Sequence, residues 1–172
     1  IEQYADMPCL GYTHLQPAEP TTAGYRFAFY AQDLLMDYEM LQFVKGSILK
    51  GKGIKGAVGT QASFGELMKI PQPPLVKGAE GDSSSVLEME KKVMEMLGID
   101  AVDVSTQVYS RKIDYLVLSL LASIASSIAK FAGDVRILQS PSIGEWSEAF
   151  AEKQVGSSAM PFKKNPINAE KI

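Results

Sequence analysis

One cysteine, one histidine and one tryptophan are all this 172-residue chain holds of those types. A lone Cys9 cannot build a disulfide framework or a thiolate metal cluster. It reads as a small buried apolar group and fits a reducing, cytoplasmic setting. No His, Cys and carboxylate spacing suggests zinc, so no metal is expected. Charge of one sign is also lacking: 17 Lys and Arg stand against 20 Asp and Glu, a net −3, so there is no basic field for nucleic acid. The longest apolar run, Tyr115–Ala129, is 15 residues. It is bracketed by Lys112, Asp114 and Lys130 and is shorter than the roughly 20 residues a membrane span needs. A buried bundle helix is expected instead. The opening Ile-Glu-Gln-Tyr has no basic start and no apolar run, so no secretory signal is expected there. A chain that begins at Ile1 and stops at Ile172 reads as a piece of something longer. Little of it reads as strand, and it has no internal repeat or low-complexity tract.

What the chain does have is helical periodicity. Residues 1–17, interrupted by Pro8 and Pro17, read as extended chain and loop. From about Pro20, the residues Phe27, Tyr30, Leu34, Tyr38, Leu41, Val44 and Ile48 recur at helical steps. Gly51 is the expected stop, giving a helix of about 30 residues or roughly 45 Å. A glycine-rich stretch, 51–60, leads to a short helix over Gln61–Met68. Pro71, Pro73, Pro74, Gly78 and Gly81 mark an exposed loop over 71–85. Ser85-Val86-Leu87-Glu88 is a capping box opening a helix with Val86, Met89, Val93 and Leu97, which Gly98 ends. After a connector over 99–105, the longest helix is predicted over 106–139. Its stripe runs Ile113, Leu116, Leu120, Ile124, Ile128, Phe131, Val135 and Leu138, and Pro141 ends it. The small residues around Ala122–Ser127 allow close helix approach. In so thin a piece some neighbours should belong to other subunits.

The stretch with chemical character is Gly156-Ser157-Ser158-Ala159-Met160-Pro161-Phe162-Lys163-Lys164-Asn165-Pro166. Gly156 and the serines offer movable backbone and free N–H groups. Pro161 and Pro166 stiffen the middle and exit, and Pro166 suits the first turn of a helix. A serine arm leading through two lysines into a helix start suits carboxylate or phosphate recognition; a solvated surface loop is the plain alternative. Two look-alikes fail. Gly46–Gly53 nearly spells a phosphate-binding P-loop, but Gly53 stands where Ser or Thr must hold magnesium, and a helix precedes it rather than a strand. The methionines Met36, Met40, Met89, Met94 and Met96 fit helix packing.

The string 156–166, followed by Ile167-Asn168-Ala169-Glu170, resembles the signature of the fumarase/aspartase superfamily, and within it the adenylosuccinate lyases. Three further blocks carry the same resemblance: Gly11-Tyr12-Thr13-His14-Leu15-Gln16-Pro17 to Thr22, Lys55-Gly56-Ala57-Val58-Gly59-Thr60-Gln61-Ala62-Ser63-Phe64, and Thr106-Gln107-Val108-Tyr109-Ser110-Arg111-Lys112. The four stand in family order along nearly the whole chain.

The resemblance implies an all-α fold, most of the family's central long-helix bundle, with the first and C-terminal domains absent. It implies a homotetramer with active sites shared between subunits, a succinylated purine nucleotide as substrate, no cofactor, no membrane partner and no nucleic acid. By the same resemblance His14 is the general acid, Ser157 the general base, and Glu170 orients His14 across a subunit boundary. Thr13, Gln107, Ser158, Met160, Lys163, Asn165 and Lys171 fall on substrate-contacting positions. Lys171 departs from the pattern, because the family carries Arg there and lysine cannot offer a fork. The residues alone leave plainer readings open: a structural His14, a solvated Gln107, a Glu170 placed for the helix dipole. Two other functions also stay open. One is a different superfamily lyase acting on argininosuccinate, fumarate or aspartate; the other is a helical assembly module without chemistry. The 172-residue piece alone is expected to be inactive.

Overall fold

The computed structural model describes residues 1–69, 83–151 and 153–172. The predicted loop over 71–85 falls mostly outside them. The chain divides into two units, Ile1–Met40 with Ser119–Ile172, and Leu41–Leu118.

The first unit opens on a short 3-10 turn, Glu2–Tyr4, and an antiparallel hairpin of β1 (Pro8–Thr13) and β2 (Gln16–Thr22). The reading of residues 1–17 as extended chain and loop missed only that the extended part pairs into a hairpin running on to Thr22, which moves the start of the next helix. Pro20 lies in β2, paired with Leu10. The helix α1 (Ala23–Phe43) begins only after Thr22, whose Oγ1 accepts the Tyr25 N–H at 3.2 Å as an N-cap. Gly24 is needed at this entry, since a Cβ there would lie 2.5 Å from the Ala5 Cα. In this unit α1 meets α4 (Lys112–Leu138) around Trp146. Phe27 stacks on Trp146 at 5.1 Å, and Tyr30 packs edge-on against Phe131 at 5.1 Å. Such aromatic pairs are worth about 0.5–1.5 kcal/mol each beyond area burial. A buried carboxylate crosses the same helix pair: Asp37 accepts hydrogen bonds from Ser123 at 2.7 Å and Ser127 at 2.6 Å. The small residues of α4 therefore serve as hydrogen-bond donors as well as thin packing groups.

In the second unit α1 runs into a π turn, Val44–Ile48, and the helix stops at Leu49, which is extended. Gly51 is not the stop. It forms a parallel bridge with Ala101, giving its N–H to the Asp100 carbonyl at 2.7 Å. The helix α2 (Ala62–Lys69) packs against α3 (Ser83–Leu97). Helix α3 starts two residues before the expected Ser85, and Gly98, at φ +67°, ends it as read. The Ile99 N–H reaches the Met94 carbonyl and the Gly98 N–H the Glu95 carbonyl, the paired bonds of a Schellman ending. Helix α4 starts at Lys112, six residues after the predicted Thr106, because Ser110 takes the entry: its Oγ accepts the Lys112 N–H at 3.4 Å.

Among the described residues the fold is helical with one two-stranded sheet. The predicted apolar stripes are only partly covered within the chain. Tyr30, Val44, Leu120 and Leu138 are buried, whereas Leu34, Tyr38, Leu41, Ile128 and Phe131 are exposed. By length and composition α4 would pass for a membrane span, and it is not buried as a bundle helix by this chain alone.

Candidate active site

His14 sits at the tip of the hairpin. Thr13 pairs with Gln16, so His14 and Leu15 are the whole turn, with φ of +52° and +61°. Two-residue hairpin turns of this kind favour Asn-Gly, because side chains crowd the left-handed region. Each non-glycine residue there costs roughly 1–2 kcal/mol, so the surrounding structure must hold the turn in place. The ladder does part of this, with an irregularity between Leu10 and Tyr12. Leu10 is held on both sides: its N–H goes to Glu145 Oε1 at 2.8 Å, and its carbonyl accepts from Arg26 Nη2 at 2.7 Å. Arg26 and Glu145 close the ring with a 2.7 Å ion pair, and the Arg26 guanidinium lies 5.4 Å over Trp146.

Thr13 and His14 line a cleft of about 880 Å³ together with Tyr25, Tyr30, Lys130 and Asp134. In it the Tyr30 hydroxyl donates to Asp134 Oδ2 at 2.6 Å, and Lys130 pairs with the same oxygen. Burial pushes the Tyr30 phenol far above its ordinary range, with the Asp134 bond adding to the effect. Tyr30 was legible only as one of an apolar stripe. The Lys130 and Asp134 spacing of four residues was the signal that a charged face stood beside it.

The serine arm doubles back on itself. A Cβ at Gly156 would lie 2.0 Å from the Lys163 carbonyl oxygen, so only glycine fits the crossing. Ser157 is half-buried, and its Oγ accepts the N–H groups of Ala159 at 3.4 Å and Met160 at 3.3 Å. Ser158, Met160 and Lys163 are exposed and Asn165 is half-buried. Gln139, just past α4, anchors the arm: its Nε2 donates to the Lys164 carbonyl at 2.9 Å, and its Oε1 accepts the Glu148 N–H at 2.8 Å.

Beyond the arm the chain makes one helical turn from Pro166, closed by the Glu170 N–H to the Pro166 carbonyl at 2.9 Å. Glu148 caps it. Its carboxylate accepts the Ala169 N–H at 2.6 Å, the Asn168 N–H at 3.1 Å and the Asn168 side-chain amide at 3.0 Å. The Ala169 bond first, then those from Asn168 and the charge of Lys171, hold the Glu148 carboxyl below the usual carboxylate range. Glu170 and Lys171 are exposed.

Gln107, exposed in the second unit, lies in the bend before α4 and not at a helix start as expected. Within one chain, then, the cleft gathers Thr13 and His14, and none of Ser157, Ser158, Met160, Lys163, Asn165, Glu170 or Lys171 lines it. Among the described residues no group of three metal-ligating side chains occurs.

The sequence profile of the lyase family matches residues 1–69 and 78–172, which takes in all four motif blocks. The chain belongs to this lyase family. Two adenylosuccinate lyases show how near other members stand to this lyase-family chain. That of Schistosoma mansoni is 40% identical over 95% of the chain and 32% of its own length. That of Saccharomyces cerevisiae is 40% identical over 99% of the chain and 33% of its own length. The chain thus spans about a third of the relatives it matches. In fold it is similar to the structure titled fumarate lyase:delta crystallin from Brucella melitensis bound to cobalt, with a TM-score of 0.73 at 24% identity, over 98% of this chain and 34% of that one.

Proposed function

We propose that the full-length protein is an adenylosuccinate lyase, releasing fumarate from adenylosuccinate to leave AMP, and acting likewise on the succinylated aminoimidazole carboxamide ribotide. The observation that carries this reading is the 40% identity to enzymes of that name across 95% and 99% of the chain. The reaction is an anti β-elimination. Ser157 takes a proton from the carbon next to a succinyl carboxylate. That electron pair forms the new double bond, the C–N bond breaks, and His14 delivers a proton to the departing nitrogen. Serine is a weak base unless its oxygen is stabilised, and the Ala159 and Met160 amides already aimed at Ser157 Oγ favour negative charge there. Lys163 and Asn165 meet the charge that builds on the substrate carboxylate. Thr13, Gln107, Ser158, Met160 and Lys171 hold the rest of the nucleotide, and Glu170 orients His14. No cofactor enters.

In this reading the site is completed by association. The uncovered apolar faces of α1 and α4 pack against other copies in a homotetramer, which brings the arm of one subunit to the His14 of another, in the cytoplasm. The test is fumarate release by the full-length protein, with Ser157→Ala expected to lower the rate on the order of a thousandfold. An unchanged rate removes Ser157 as the base. Failure on adenylosuccinate with turnover of argininosuccinate, fumarate or aspartate reassigns the substrate, and turnover of none leaves a non-catalytic helical module.

A further inference from the structure

The four residues Glu145-Trp146-Ser147-Glu148 touch both the segment that carries the proposed acid His14 and the segment that carries Glu170, the carboxylate proposed to orient the His14 of another subunit. Glu145 accepts the Leu10 N–H and pairs with Arg26, which in turn grips the Leu10 carbonyl. Glu148 accepts three N–H bonds from Asn168 and Ala169, next to Glu170. Trp146 between them stacks on Phe27 at 5.1 Å, which fixes the segment to α1. Gln139 ties the same segment to the serine arm through the Glu148 N–H and the Lys164 carbonyl.

We propose that Glu145 and Glu148 are positioning residues, a two-carboxylate bracket that sets the His14 hairpin and the Glu170 turn from one short segment of the same chain. The argument is one of bond type and place. A carboxylate accepting backbone N–H groups makes charge-assisted bonds, roughly twice as strong as neutral ones. The Glu145 and Arg26 side chains are 18% and 13% exposed, so water competes little for their pair. Leu10 lies at the irregularity in the ladder, where strand pairing alone holds least, and four residues from a strained tip. A hinge at Leu10 would swing the His14 imidazole at the tip; the bracket removes that freedom. Neither carboxylate touches substrate in this account. Each acts through backbone that carries a reacting or orienting group.

This inference rests on the proposed lyase reading for its kinetic arm only. The structural arm is amide exchange on the full-length protein. Glu145→Ala is expected to speed exchange at Leu10 at least tenfold with Ala169 unchanged, and Glu148→Ala to do the reverse. Equal acceleration at both places in either variant, or at neither, overturns the bracket. The kinetic arm uses Glu145→Gln and Glu148→Gln, which keep one acceptor oxygen and the fold. A fall in kcat of at least tenfold with KM within twofold supports positioning. Unchanged kcat in both, beside an active wild type, overturns it. A full-length wild type that releases no fumarate sinks the lyase reading instead and leaves the exchange result to stand by itself.

Discussion

Lys55 and Glu90 form an ion pair shut off from solvent, with 7% and 8% of their side chains exposed. Glu90 also accepts the Ile54 N–H at 2.6 Å and the Gln61 side-chain amide at 3.1 Å. The pair therefore ties the glycine-rich block of residues 51–61 to α3, and Gln61 takes a positive φ of 58° to reach it. Removing one partner strands a buried charge, which costs about 3–5 kcal/mol, whereas exchanging both for apolar groups is often neutral. Lys55→Met is expected to lower unfolding stability by that amount and Lys55→Met with Glu90→Leu by much less. Urea unfolding checks it; equal losses in the single and double variants would refute the account.

Tyr30 gives an alkaline signature. Its folded phenol holds the proton more tightly than the ordinary value of 10.0, first through burial and then through Asp134. A group with a raised folded pKa contributes its full stability below the unfolded value and loses it as pH rises beyond. Stability should therefore begin to fall above about pH 10, and this fall should be reduced in Tyr30→Phe, which itself costs about 1 kcal/mol at neutral pH. Absorbance titration of the tyrosines, with thermal melts at each pH, measures both. Early titration of Tyr30 alongside the exposed tyrosines contradicts the assignment.

Gly156 is the crossing point of the serine arm. Gly156→Ala must push the Lys163 carbonyl away, since the added carbon would meet it at 2.0 Å. The arm is surface structure, so thermal stability should barely move. A shift of about 1 Å at a reacting group can cost a hundredfold in rate, and that is the loss expected in fumarate release. A variant of full activity would show that the doubled-back arm is irrelevant to turnover.

The uncovered helix faces predict association. Leu35 and Leu121 are 62% and 55% exposed, side chains that gain about 1.5–3 kcal/mol each when buried. Sedimentation of the full-length protein should report a tetramer, and Leu121→Glu should shift it to smaller species. A wild-type monomer would rule out shared sites.

Two helix ends were legible from their punctuation, Gly98 ending α3 and Pro141 following α4 closely, whereas Gly51 misplaced the end of α1. The hairpin was not. Both strands hold prolines, neither alternates cleanly, and the turn is His14-Leu15 with no Asn or Gly to announce it. The pattern therefore reads as extended chain and loop with no pairing, and it begins α1 at about Pro20 although Thr22 is the better cap. For the site, motif blocks named His14, Thr13 and the serine arm. They did not name Glu145 or Glu148, whose partners are largely main-chain N–H groups that no side-chain motif records.

The tip at His14 and Leu15 holds a left-handed conformation that strand pairing and the Leu10 contacts help maintain. A two-stranded sheet is marginal by itself. The imidazole should thus be the first thing lost under mild denaturant: its orientation should decay at urea concentrations where helical ellipticity is still intact, so that inactivation precedes melting.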